Sequence, residues 1–192
     1  HWAFNETTGA LARDERGLHH AALHGFPADD SAWIAGMDGN GLSFDGFDDY
    51  AEAADYRGIV GKAPRTVMAW IKVNQPPSAA QAILAWGEPT PGRYWLLEVD
   101  ASRRLRFSCG QAHAVVSGRL IGDAQWHHIA AALDPIVTDD PHVSDVRLWV
   151  DARPQPVYEL AEHELDTAHA IVGRVVGPSV PPSLGKRQII VR

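Results

Sequence analysis

The feature that most constrains this chain is alternation with a period of two. In Thr66-Val-Met-Ala-Trp-Ile-Lys-Val73, Val67, Ala69, Ile71 and Val73 fall on one side and Thr66, Met68, Trp70 and Lys72 on the other. In Asp145-Val-Arg-Leu-Trp-Val-Asp151, Val146, Leu148 and Val150 oppose Arg147, Trp149 and Asp151. Successive side chains of a strand point to opposite faces, so this is the pattern of a half-buried strand. Trp126-His-His-Ile-Ala-Ala-Ala-Leu133 is apolar on both sides, as a central strand of a two-layer structure would be. Shorter runs at 41–44, 50–53, 82–86, 94–99, 104–108, 112–116 and 168–176 also suit strands. Gly and Pro clusters at 36–41, 75–78, 87–92 and 177–183 separate them, and proline is confined to turns and sheet edges. Only residues 53–60 and 158–166 suit short helices. Closely spaced strands without long helices predict an antiparallel all-β fold, a sandwich or jelly roll.

Composition narrows what such a fold can do. With 45% hydrophobic and 21% charged residues, the 192-residue chain is not of the disordered class, and its length suits one domain over residues 1–192. Seventeen Lys and Arg against 24 Asp and Glu leave a net charge of −7, without the basic footprint that nucleic-acid binding requires. No apolar run reaches the ~18 residues of a membrane-spanning helix, so no membrane insertion is expected. The opening His1-Trp-Ala-Phe4, without an initiator Met, predicts a piece excised from a longer protein. The single Cys109 cannot form an internal disulfide and reads as a small buried hydrophobe.

Five stretches, in order along the chain, resemble the laminin G-like, concanavalin A-like lectin/glucanase jelly rolls. Trp2-Ala-Phe-Asn-Glu-Thr-Thr-Gly9, with Asp14, Gly17 and Leu23, is similar to the family's first strand and loop. Leu42-Ser-Phe-Asp-Gly-Phe-Asp-Asp-Tyr50 is similar to its Phe-Asp-Gly-x-Asp-Asp-Tyr hairpin, and Thr66-Val-Met-Ala-Trp-Ile-Lys72 to its Trp-bearing strand. Trp126-His-His-Ile-Ala130 and Val146-Arg-Leu-Trp-Val-Asp151 resemble its paired later strands. The resemblance implies two large antiparallel sheets, with Trp2, Trp70 and Trp126 at packing positions. Two departures stand out. Ala152 replaces the family's Gly after Asp151, which predicts a different turn type. The family's acidic final strand is replaced by Arg187-Gln-Ile-Ile-Val-Arg192, which is expected to form a terminal strand paired with an N-terminal one.

Candidate sites follow from these placements. Seven tryptophans invite a sugar-binding platform, because an aromatic face can stack on a pyranose ring. Trp149 with Arg147, and Trp95 with Tyr94 beside a Pro/Gly-rich loop, are the carbohydrate-binding candidates, with packing the alternative for each. Related glucanases place two carboxylates on one strand, but after Glu98-Val-Asp100 the second Glu is missing and Ser102 and Arg103 stand in its place. Neither Gly-x-Ser-x-Gly nor His-Glu-x-x-His occurs, so catalysis is not expected. His127 and His128 are adjacent on a strand, face opposite ways and cannot share one ion. Structural calcium is the possible cofactor: by resemblance Asp14 is its candidate ligand, while Asp45, Asp48 and Asp49 read as turn-capping groups. The expected function is a non-catalytic carbohydrate-binding or adhesion module of a larger secreted or envelope protein. The alternative is a structural or protein–protein interaction domain on the same scaffold, with a glycoside hydrolase a distant third.

Overall fold

The computed structural model describes residues 1–54, 56–74, 79–88, 90–110, 113–134, 140–159, 165, 173–175 and 189–191. Sixteen strands appear among them: β1 Leu11–Ala12, β2 Ala21–His24, β3 Trp33–Ala35, β4 Asn40–Phe44, β5 Tyr50–Ala53, β6 Arg65–Val73, β7 Gln81–Gly87, β8 Tyr94–Val99, β9 Arg104–Ser108, β10 Ala114–Leu120, β11 Trp126–Leu133, β12 Val146–Val150, β13 Arg153–Pro154, β14 Val157–Glu159, β15 Gly173–Val175 and β16 Ile189–Val191. They form two antiparallel sheets, ordered β1-β2-β5-β15-β7-β8-β9-β10-β14 and β13-β12-β11-β6-β16-β4-β3. The all-β jelly-roll sandwich expected from the alternation is the observed fold.

Between the sheets lies one apolar layer. Leu42, Phe44, Ile71, Ile129, Leu133, Leu148 and Val150 enter it from the seven-stranded sheet, and Ile83, Trp95, Leu97, Leu105 and Phe107 from the nine-stranded one. Each strand alternates because only one face of its sheet meets this layer. Thus Val146, Leu148 and Val150 are buried while Arg147 is exposed.

Several local expectations change. The described residues of 53–60 are not helical: Ala53 ends β5, and Gly58 follows at φ +70, packed so closely on Trp86 that an added Cβ would lie 2.4 Å from its ring. Residues 157–159 are a strand rather than the start of a helix, and most of 160–166 lies outside the described residues. The one helical element among the described residues is a 3-10 turn at Val143–Asp145. Of the C-terminal stretch, Ile189–Val191 is indeed a strand, paired antiparallel with β4. It also pairs with β6 on its other side, so it is an interior strand rather than the closing edge. Residues 187, 188 and 192 lie outside the described residues.

Asp151 and Ala152 both adopt positive φ, at 51° and 59°, between the paired Val150 and Arg153. Two left-handed central residues are the pattern of a tight type I′ hairpin. The alanine is held in the conformation glycine would take without a Cβ penalty.

Candidate functional site

On the outer side of the seven-stranded sheet, antiparallel register sets side chains from β6, β11 and β12 in rows. Thr66, Ala132 and Arg147 form one row, and Met68, Ala130 and Trp149 the next. Trp70 and His128 follow, then Lys72 and Trp126. Ala130 and Ala132 carry only methyl groups, so β11 provides a floor between taller side chains. Strands lie ~4.8 Å apart, which puts the two walls roughly 10 Å from each other. Met68, 62% exposed, and half-buried Trp70 stand on one wall, with half-buried Trp149 and exposed Arg147 on the other. His128 meets the Trp70 ring edge-on at 5.2 Å and 63°, closing one end. The result is a shallow groove with indole walls and an alanine floor.

The end of the groove near Asp151 is braced from inside the sandwich. His127 is buried, and its ring nitrogens lie 3.0 Å from Asp151 Oδ2 and 3.0 Å from Asp123 Oδ1. Asp151 Oδ1 accepts the His128 N–H at 3.0 Å, and Oδ2 lies 2.8 Å from Arg119. Burial works against the Asp151 charge, but the hydrogen bond with His127 and these donors outweigh it and hold the carboxyl below its ordinary range. These contacts tie β11 to the β12–β13 hairpin and fix the backbone that carries Trp149 and His128. Both histidines thus have separate roles on opposite faces.

The four carbohydrate candidates do not come together. Trp149 and Arg147 share the groove. Trp95 does not belong to any surface: it is fully buried, stacked on Trp86 at 5.3 Å and 12° and tilted against Phe107 at 4.4 Å. The Arg65 guanidinium lies 5.4 Å from its ring centre. The Pro/Gly-rich loop before it suggested a rim, but Trp95 falls on the inward parity of β8. Tyr94 takes the outward parity of the nine-stranded sheet, on the far side of the sandwich from Trp149. There, burial, followed by nearby Cys109 and Glu98, raises its hydroxyl pKa. Trp70 and Trp126, expected in the core, are half-buried on the outer face instead. Trp70, Met68 and His128 are the groove residues that sequence reasoning missed, although Trp70 and Met68 lay on the polar side of the β6 alternation.

The carboxylates have structural duties. Asp14 is buried, and its oxygens accept the N–H groups of Arg16, Leu18 and His19 at 3.2–3.3 Å. An ion would have to displace those donors, so Asp14 does not fit a calcium site. Asp45, Asp48 and Asp49 have carboxylate oxygens within 4.8 Å of one another. Within that hairpin, Asp49 accepts the Asp45 N–H at 2.7 Å and Asp45 accepts the Phe47 N–H at 2.8 Å, as turn-capping groups do. Glu98 is buried against Arg106, and Asp100 accepts the Arg104 N–H at 2.9 Å. Cys109 is buried, and burial raises its thiol pKa, opposite to the need of a nucleophile.

A second concavity lies beside the groove. It lies along β6 ahead of Ile71–Val73, the stretch that pairs with β16. A cavity of about 730 Å³ there is lined by Trp2, Tyr56, Val67, Leu84 and Trp86 among others, and it shares Met68, Trp70 and His128 with the groove. Its walls are mainly apolar.

The family model described as the Concanavalin A-like lectin/glucanases superfamily, of the laminin G type, matches residues 44–180. The chain belongs to this superfamily. No curated protein matches the sequence. Among solved structures, a Trypanosoma rangeli sialidase is similar, with 17% identity and a TM-score of 0.61 over 97% of this chain and 28% of that one. The binding domain of botulinum neurotoxin serotype D/C is 8% identical, with a TM-score of 0.64 over 99% of this chain and 48% of that one. A botulinum neurotoxin type C structure, described by its dependence on two ganglioside molecules for cell entry, is 9% identical, with a TM-score of 0.52 over 98% and 47%. This laminin G-like chain spans less than half of each of these chains, and the likeness establishes the shared fold. Among the described residues, no helix is long and apolar enough to cross a membrane.

Proposed function

We propose that this laminin G-like chain is a non-catalytic carbohydrate-binding module, a single domain of a larger secreted or envelope protein. It takes its ligand in the outer groove of the seven-stranded sheet. The observation that carries this reading is the pair of indoles, Trp149 and Trp70, half-buried on opposite walls over the Ala130 floor. Their rings are wide apolar planes with polar edges, fixed on strands rather than loops. Exposed Arg147 and half-buried His128 and Lys72 supply polar contacts around them. Hydrolysis is not part of the reading, because Glu98 is committed to Arg106 and Asp100 to its turn.

A second reading has its own support. The mainly apolar cavity beside β6 suits an apolar segment of a protein partner. A glycan panel separates the two. Saturable binding of a sugar that protects Trp149, which the cavity does not include, from quenching supports the groove. Absence of binding to any sugar at millimolar concentration overturns it in favour of the protein-partner reading.

A further inference from the structure

The three central strands repeat one arrangement on the groove face. Each carries a tryptophan and, two residues away on the same face, a cationic or protonatable side chain: Trp70 and Lys72 on β6, Trp126 and His128 on β11, Arg147 and Trp149 on β12. Residues two apart on a strand are about 6.8 Å apart. That is the reach from a sugar ring stacked on the indole to a charged group carried by that ring or its neighbour. The outward positions of these strands hold no carboxylate, although the chain has 24 acidic residues and a net charge of −7. The acids at the ends of β12 are engaged, Asp145 by the His142 N–H and Asp151 by His127 and Arg119, and Asp38 lines the cavity at the Trp70–His128 end, away from Arg147. Neither Lys72 nor Arg147 has an ion-pair partner among the described residues.

We infer that the groove selects acidic glycans, with a carboxylate or sulfate on the sugar held at the Arg147 end. This rests on the glycan-binding reading above. The planar guanidinium of Arg147 can hold either group through two parallel N–H bonds, Lys72 extends the positive field along the groove, and His128 adds a hydrogen-bonding ring. In a chain with a negative net charge, a local positive field favours anionic ligands at that one face.

Titration of the full chain with matched oligosaccharides tests this: a neutral sugar, its uronic-acid counterpart and its sulfated counterpart, at 0.05 and 0.5 M salt. At least one acidic arm is expected to bind tenfold or more tightly than the neutral one, with the advantage shrinking at high salt. Preference in the uronate arm assigns carboxylate recognition, and preference in the sulfated arm assigns sulfate. Arg147→Gln is expected to lower acidic-sugar affinity at least tenfold while its melting temperature matches the parent. Equal affinity for neutral and acidic sugars overturns the inference and leaves the glycan reading in place. Binding in no arm overturns both.

Discussion

Replacing Trp95 with alanine measures how far this indole serves the core rather than a surface. The side chain is fully buried between Trp86 and Phe107, with the Arg65 guanidinium over its ring. A buried tryptophan removes roughly 150–250 Å² from water. At ~25 cal/mol per Å² that is roughly 4–6 kcal/mol, part of which the alanine methyl retains. Large aromatic truncations in cores cost about 3–5 kcal/mol, so about 4 kcal/mol is expected for Trp95→Ala. In a chain of this length each kcal/mol moves Tm by about 2–4 °C, which predicts a fall of about 8–16 °C. Trp95→Phe is a sharper control. It keeps most of the stack and removes an indole N–H that has no hydrogen-bond partner among the described residues. Relief of that unpaired donor offsets lost volume, so Trp95→Phe should cost less than about 1.5 kcal/mol. Urea denaturation and thermal melts followed by circular dichroism read both values. A Trp95→Ala loss below about 1 kcal/mol, or a Trp95→Phe loss as large as that of Trp95→Ala, would refute the reasoning.

Three further outcomes follow from particular residues. Ala152→Gly should stabilise by about 1 kcal/mol, because Ala152 sits at φ 59° where a Cβ is unfavourable; an unchanged or lower Tm contradicts this. Burial, reinforced by the Asp45 and Asp48 charges, pushes Asp49 up to about 6, above its ordinary 3.8. Its stabilising contribution is therefore complete below about pH 3.8 and lost as pH rises through 6, and Asp49→Asn should be more stable than the parent at pH 7.5, by on the order of 3 kcal/mol at most, with no gain at pH 3.5. A pH-stability profile that does not change on substitution contradicts the assignment. Deleting residues 187–192 removes an interior strand, so aggregation in size-exclusion chromatography or a loss of cooperative melting is expected, and a monomer with the parent Tm would contradict the sheet order.

The sheets were legible wherever one face of a strand meets the core. β6 and β12 alternate cleanly, and the parity read from their sequences is the parity of the fold. β1 and β3, only two and three residues long, are too short to show a period, and the alternation did not reveal them. The helix expected at 53–60 fails for a tertiary reason, the approach of Gly58 to Trp86 across the layers. Half of the candidate site was legible as well. The outward parity of Trp149 and Arg147 places them on the sheet surface, and that is where they lie. Parity along one strand does not say which face of which sheet a neighbouring strand presents. Tyr94 was therefore grouped with Trp149 although the sandwich separates them, and Trp70 was assigned to the core although it faces outward beside Lys72. Asp14 is a loop carboxylate in a pattern shared with relatives, but its satisfaction by backbone N–H groups depends on how residues 14–19 turn, which spacing alone does not disclose.

The groove account is tested most directly by the affinity of Trp149→Ala for a sugar that the parent binds, measured by calorimetric titration beside a thermal melt. Trp149 is half-buried on the outer face, so its loss should cost the fold about 1 kcal/mol and shift Tm by no more than about 4 °C, while affinity falls at least tenfold. Affinity equal to the parent's, in a variant with the parent's melting temperature, would contradict the claim that this groove holds the ligand.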